Sequence, residues 1–261
     1  MFFSPQKIYL SLNVVKDIHM KDFDRPVNEI VKMDYRTADV FKKRRLNFCC
    51  GGDVNLRSLC ETRQLVFNEV VKELQNATRD INIPSQLNLQ EWKIDFLIDF
   101  IKNVHHEYIY QVLPTLKISL DAFALTHTHK FPELTRTTSM LEQLSKKLMM
   151  HNSHEDEIIF PYIKQMYSAY KRKEAYGNLF VRTLRKPLSL VESEQIEITK
   201  LLDELKLITE NFQLPLKSCS SYQVLISKLK ELYENLLQHQ YLEHNILFPK
   251  AIEIEQHLLQ M

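Results

Sequence analysis

Leucines recur along this chain at the spacing of a helix with one buried face. Leu141, Leu144 and Leu148 follow one another at intervals of three and four, and Leu225, Leu229, Leu232 and Leu236 repeat the stripe further on. Extending such stripes predicts four long helices near residues 89–125, 133–168, 187–211 and 219–257, with the 169–186 connection the longest between them. Helices of that length joined in series read as an up-and-down four-helix bundle over residues 85–258. Upstream, residues 26–82 pattern as a small helical domain. It has a short helix through Ala38 to Phe41, a turn at Cys49 to Gly52, and a second helix carrying Leu65, Phe67, Val70 and Val71. Asn82-Ile83-Pro84-Ser85 reads as the linker, because proline ends or prevents helix and serine caps the next one. Residues 1–25 show no clear periodicity and read as an extension. The fold class is all-α.

The two clearest stripes do not end in leucine. After Leu148 the inward positions are His151 and Glu155, followed by Ile158; after Leu236 they are His239 and Glu243, followed by Ile246. A buried carboxylate needs a cation beside it or must stay neutral. Residues four apart on a helix share one face, with Cβ atoms about 6 Å apart, so both side chains can reach one metal cluster. The segments also repeat each other: His151 to Pro161 aligns with His239 to Pro249, and 239 − 151 and 243 − 155 both give 88. A similar shift relates the other two helices and connects His106 to Gln195 (195 − 106 gives 89), the latter on a stripe with Val191, Ile198 and Leu202. Four inward polar positions then converge in a pseudo-twofold arrangement, with two carboxylates available to bridge. A lone seam histidine is usually an ordinary core residue; its duplication beside glutamate argues for metal. Imidazole and bridging carboxylate suit iron better than a structural zinc site, which is four-coordinate and often thiolate-bound. In the first bundle helix the periodicity through Ile98 and Ile101 turns His105 inward, whereas the repeat offset selects His106.

Composition changes the picture little. Lys plus Arg is 34 against 33 for Asp plus Glu, a net charge of +1, which gives no electrostatic case for nucleic acid or an anionic membrane. No apolar run reaches the roughly 18 residues of a membrane span, and the start lacks the basic region of a signal peptide. Four cysteines in 261 residues, two of them adjacent, do not make a disulfide scaffold and fit a reducing, cytoplasmic setting. Cys49-Cys50-Gly51-Gly52 holds two of the three glycines, which implies a turn with positive φ or close approach by another group. The preceding Lys42-Lys43-Arg44-Arg45 would favour thiolate in a nearby cysteine, so Cys49 and Cys50 are read as a reactive thiol pair. Cys60 and Cys219 read as buried small residues.

The Cys-Cys-Gly-Gly turn at residues 49–52, together with two His-x-x-x-Glu segments that each run on to Phe-Pro, resembles the di-iron iron–sulfur cluster repair family, also called repair of iron centres, of the ScdA/YtfE type. The resemblance runs from about Val27 to Ala251. It implies a haemerythrin-like four-helix bundle behind a small helical domain. It further implies a cytoplasmic bacterial protein that restores iron–sulfur clusters damaged by nitric oxide or oxidants, as an iron donor. The implied cofactor is two non-haem iron ions. Carried onto matching positions, the ligands are His106, His151, Glu155, His239 and Glu243, and the thiols are Cys49 and Cys50. One position departs: where the family has Glu-Ser-Glu-His, this chain has Glu192-Ser193-Glu194-Gln195. A Gln oxygen is a weaker ligand than imidazole, so incomplete iron occupancy is expected, with Glu192 one turn away as a substitute. The implied partners are damaged iron–sulfur proteins and NO or O2 as small ligands, and the resemblance leaves a homodimer open. Enzymatic turnover, such as NO reduction, stays undecided. The rival reading is a haemerythrin-like binder or sensor of O2 or NO without a repair role.

Overall fold

A computed structural model describes residues 23–49, 52–79, 87–174, 181, 187–215 and 218–260, and of residues 187–190 and 192 the backbone only. The described residues are almost wholly helical and divide into two compact units. One comprises the chain up to Leu87 together with Pro215–Val224; the other comprises Asn88–Leu214 and Leu225 onward. The linker expected at residues 82–85 and nearly all of the 1–25 extension lie outside the described residues.

The small unit holds four short helices, α1 (Val27–Met33), α2 (Thr37–Lys43), α3 (Leu56–Thr62) and α4 (Phe67–Ala77). None is long enough to be stable alone, so their apolar faces supply the stability by packing together. Phe23, Ile30, Phe41, Leu56 and Leu74 are wholly buried in that core, which Val224 joins from the later segment. Asn55 caps α3 by accepting from the Arg57 backbone N–H at 2.8 Å. Asp34 holds the Arg36 guanidinium at 2.6 Å, and the same nitrogen donates to the Thr78 carbonyl, closing α4 against the start of α2.

The larger unit is a bundle of four long helices. The first, α5, covers residues 94–127 as Ile94–Phe100, a π-helical turn Ile101–His106, and Glu107–His127. The second, α6, covers 133–172 as Glu133–His154, a π-helical turn Glu155–Ile159, and Phe160–Arg172. The third, α7, is Pro187–Ile208 without interruption. The fourth, α8, covers 220–260 as Ser220–Leu242, a π-helical turn Glu243–Leu247, and Phe248–Gln260. Leu141, Leu144 and Leu148 on α6 and Leu229, Leu232 and Leu236 on α8 are at most 1% exposed, so the sequence stripes are the bundle seam. No described helix is long and apolar enough to cross a membrane.

Candidate metal centre

The π-helical turns decide which side chains enter the middle of the bundle. A π turn bonds i to i+5 and so accommodates one residue more than an α turn. In α5 this brings two successive side chains inward, and both His105 and His106 are buried. The apparent choice between them thus disappears: each faces the core, with different partners. In α6 and α8 the π turn begins at the glutamate itself, Glu155 in one and Glu243 in the other, so the 88-residue repeat extends to the backbone distortion. One expectation is corrected here. Ile158 is half exposed, and Ile159 and Phe160 take the inward positions instead. In α8 Ile246 does face the core, together with Leu247.

Glu155 sits at the centre and is completely buried. Its Oε2 faces the Nε2 of His106 at 3.3 Å and of His239 at 3.7 Å, while Oε1 faces the Nε2 of His151 at 3.3 Å. Glu243, equally buried, presents Oε1 to His239 Nε2 at 2.8 Å and accepts on Oε2 from the Gln195 amide nitrogen at 2.8 Å. Glu155 thus faces His106 and His239 with one oxygen and His151 with the other, and Glu243 faces His239 with one oxygen and Gln195 with the other. The donor atoms of His106, Glu155, His239 and Glu243 all lie within 4.8 Å of one another, close enough to hold one metal ion.

Several atoms in this cluster fit a cation better than protons. His106 Nε2 and His239 Nε2 face each other at 3.1 Å, a contact that a single hydrogen can satisfy in only one direction. Both oxygens of Glu155, and Oε1 of Gln195, are buried without a well-formed hydrogen bond. A buried ionised carboxylate left in that state is strongly destabilising. Burial alone would raise the Glu155 carboxyl, but the charges of His151, His106 and His239 outweigh it and hold the group below the ordinary carboxylate range. Burial opposes charge on His239 as well, yet Glu243 and Glu155 push it up to about 10. Glu243 is raised, by burial and by the like charge of Glu155. Without metal the cluster has to retain protons on its imidazoles to offset its two carboxylates, and a divalent cation removes that need.

A ring of further residues aims the imidazoles. His106 Nδ1 meets Asp156 Oδ1 at 3.0 Å, and Asp156 is also held by the Tyr110 hydroxyl at 3.2 Å and Lys102 at 3.3 Å. Burial works against charge on His106, but Asp156 and Glu155 raise it above the usual histidine value. Burial likewise works against charge on Asp156, which His106 and Lys102 nonetheless hold low. His151 Nδ1 meets Glu194 Oε2 at 3.2 Å, and the other Glu194 oxygen binds His154 Nδ1 at 2.9 Å. Such partners fix tautomer and ring orientation in metal sites. Asp156 and Glu194 stand beside the motif residues in sequence, yet an acidic residue next to a helical ligand looks like any solvated one; only the fold reveals the contact. His105 stays outside the cluster, bonded through Nδ1 to Asn235 at 3.2 Å and stacked at 5.7 Å on His239.

The remaining sequence expectations fall out unevenly. The side chain of Glu192, named as a substitute for Gln195, lies outside the described residues, as does Cys50. Cys49 is half buried in the small unit. The glycine requirement at Gly52 is close approach: a Cβ there would stand 2.5 Å from the Phe48 carbonyl oxygen. Arg44 of the basic run is engaged by Glu73 at 2.6 Å. Cys60 is buried as expected, whereas Cys219 is only half buried and is hydrogen-bonded to Cys49.

The family model for the hemerythrin HHE cation binding domain matches residues 97–251, and that for ScdA_N, a domain of unknown function, matches residues 23–78. The iron-sulfur cluster repair protein YtfE of Edwardsiella ictaluri is 28% identical over 229 residues, spanning 88% of this chain and 97% of the relative. The protein of the same name from Escherichia coli O81 is also 28% identical, and that from Escherichia fergusonii 27%, with the same coverage.

Proposed function

Because the chain belongs to the hemerythrin HHE cation-binding family, with an ScdA_N domain ahead of that fold, we propose that its bundle holds two non-haem iron ions and that the protein serves iron–sulfur cluster repair. One iron would be held by His106 and His239, the other by His151 and Gln195, with Glu155 and Glu243 bridging. The observation that carries this reading is the Glu155 carboxylate, buried without a well-formed hydrogen bond and facing imidazoles on both oxygens. Oxygen and imidazole donors of this kind suit iron. The repair role rests on the names of the relatives, which cover nearly the same length. Damaged iron–sulfur proteins are the partners this implies, the cytoplasm the compartment, and NO or O2 the small ligands.

Iron in such a site supplies redox change and open positions for small ligands, or is itself released. The chain's own residues shape what it can do. Asp156 and Glu194 keep His106 and His151 aimed at the centre. Gln195 donates its amide nitrogen to Glu243, and its oxygen, buried without a partner, is the atom available to a metal. That side is therefore the weaker one. A metal ion there would be held less tightly, by a Gln oxygen in place of an imidazole.

Protein purified without oxygen should contain iron at less than two ions per chain, with two inequivalent ferric or ferrous environments by Mössbauer spectroscopy. Gln195→His should raise the content, and Glu155→Ala should remove most of it. Full and equal occupancy in wild type and Gln195→His would refute the lopsided site; a metal content untouched by Glu155→Ala would refute the site itself. Repair is tested separately, by restoring a cluster-damaged hydratase with the iron-loaded protein, and no gain over free ferrous iron would overturn that role.

A further inference from the structure

Cys219 lies 170 positions beyond Cys49 (219 − 49), yet both belong to the small unit, which includes Pro215–Val224. Val224 anchors that segment in the small core. Cys219 immediately precedes α8, and its carbonyl accepts from the Gln223 backbone N–H at 3.1 Å, the first bond of the helix. Cys49 is held from the other side. Its N–H donates to Asn47 Oδ1 at 3.0 Å and its carbonyl accepts from the Gly52 N–H at 3.2 Å. The two half-buried thiols are hydrogen-bonded to each other.

We infer that Cys49 and Cys219 form a redox-active dithiol, oxidised to a Cys49–Cys219 disulfide by small-molecule disulfides. This goes beyond the proposed function and differs from the sequence reading, which pairs Cys49 with its neighbour Cys50, and it does not depend on iron.

The roles of the two sulfurs follow from their surroundings. Burial and the neighbouring Cys49 push the Cys219 thiol up, against opposing bonds from the Tyr222 and Ser221 N–H groups. At neutral pH Cys219 thus keeps its proton, so Cys49 is assigned the attacking role and Cys219 the resolving one. Cys49 attacks one sulfur of glutathione disulfide, forming a mixed disulfide and releasing one glutathione thiolate, which takes up a proton. Cys219 then loses its proton to solvent and attacks the Cys49 sulfur. The mixed S–S bond breaks and the second glutathione leaves. Two electrons pass from the protein dithiol to glutathione disulfide, and no other reactant is needed. The helix N–H groups at Ser221 and Tyr222 assist the second step, because they bond to the Cys219 sulfur as it becomes anionic.

The test uses the full-length protein, equilibrated in glutathione buffers of graded potential, acid-quenched, digested and mapped by mass spectrometry. A peptide pair joining Cys49 to Cys219 is expected as the main oxidised species in wild type. In Cys219→Ser the mixed glutathione disulfide on Cys49 should accumulate, or give way to a Cys49–Cys50 bond. Cys50→Ser should leave the Cys49–Cys219 pair intact, and far-UV circular dichroism checks that each variant folds. A wild-type protein that oxidises only to Cys49–Cys50, or that retains stable mixed disulfides with Cys219 still reduced, would overturn the inference.

Discussion

Among the buried histidines, His105 makes the most direct prediction because no metal need touch it. Its ring is 2% exposed, stacks on His239 and has one polar partner in Asn235. Burial, followed by the charge of His239, pushes it down to about 4, against the opposing bond from Asn235. The unfolded chain takes the same proton near its ordinary value of about 6.5. Between those two pH values the unfolded state binds more protons, so the stability contributed by neutral His105 is complete above about pH 6.5 and is lost as pH falls toward 4. In metal-free protein the loss between pH 7.5 and pH 5 should be roughly 2 kcal/mol, approaching about 3.4 kcal/mol below pH 4. His105→Gln removes the titration while keeping a donor for Asn235. Urea unfolding of the chelated proteins, followed by far-UV circular dichroism, should show the variant gaining about 2 kcal/mol on wild type when pH 7.5 is exchanged for pH 5. Titrating groups that do not touch His105 are common to both proteins and cancel. An NMR titration of the His105 ring supplies the same value directly. A wild-type-to-variant difference that stays constant within about 0.5 kcal/mol across that range, or a ring that titrates near 6.5, would refute the argument.

Two further outcomes are expected. Asp156→Asn removes the anion behind His106 but leaves every donor of the cluster in place, and should weaken iron binding by about 10- to 100-fold in a chelator competition. Gly52→Ala drives a methyl into the Phe48 carbonyl and should destabilise the small unit by about 1–3 kcal/mol in thermal unfolding, with the iron content of the bundle unchanged.

The bundle was legible because leucine stripes report burial one helix at a time, and Glu155 and Glu243 announced themselves by occupying seam positions. Periodicity misjudged the first bundle helix for a definite reason. A 3.6-residue ruler assumes an unbroken α-helix, so it forced a choice between His105 and His106, whereas the π turn there brings both inward; Ile158 is exposed although Ile246, at the matching place in an identical π turn, is buried. Asp156, Glu194 and Asn235 were illegible for another reason: their partners stand on other helices, and nothing in their own segment distinguishes them from solvated polar residues. Cys219 belongs with these. Its spacing says small and buried, and only the packing of Pro215–Val224 in the small unit brings it to Cys49.

The π turns also bear on how such a helix can change over time. Removing one residue from Glu155–Ile159 would return that stretch to α-helix with its flanking segments in nearly the same orientation, because the π turn takes up the extra residue within one turn; what would be lost is the added inward position. Substitution changes which side chain stands at a position, but it neither adds nor removes one. Length is therefore a heritable variable here, separate from residue identity. Single-residue insertions and deletions at these three turns would move a chain of this shape between a helix bundle that closes on itself and one that opens its centre to metal. Of the four bundle helices as described, α7 runs through without a π turn, and it presents Gln195 where α5 presents His106.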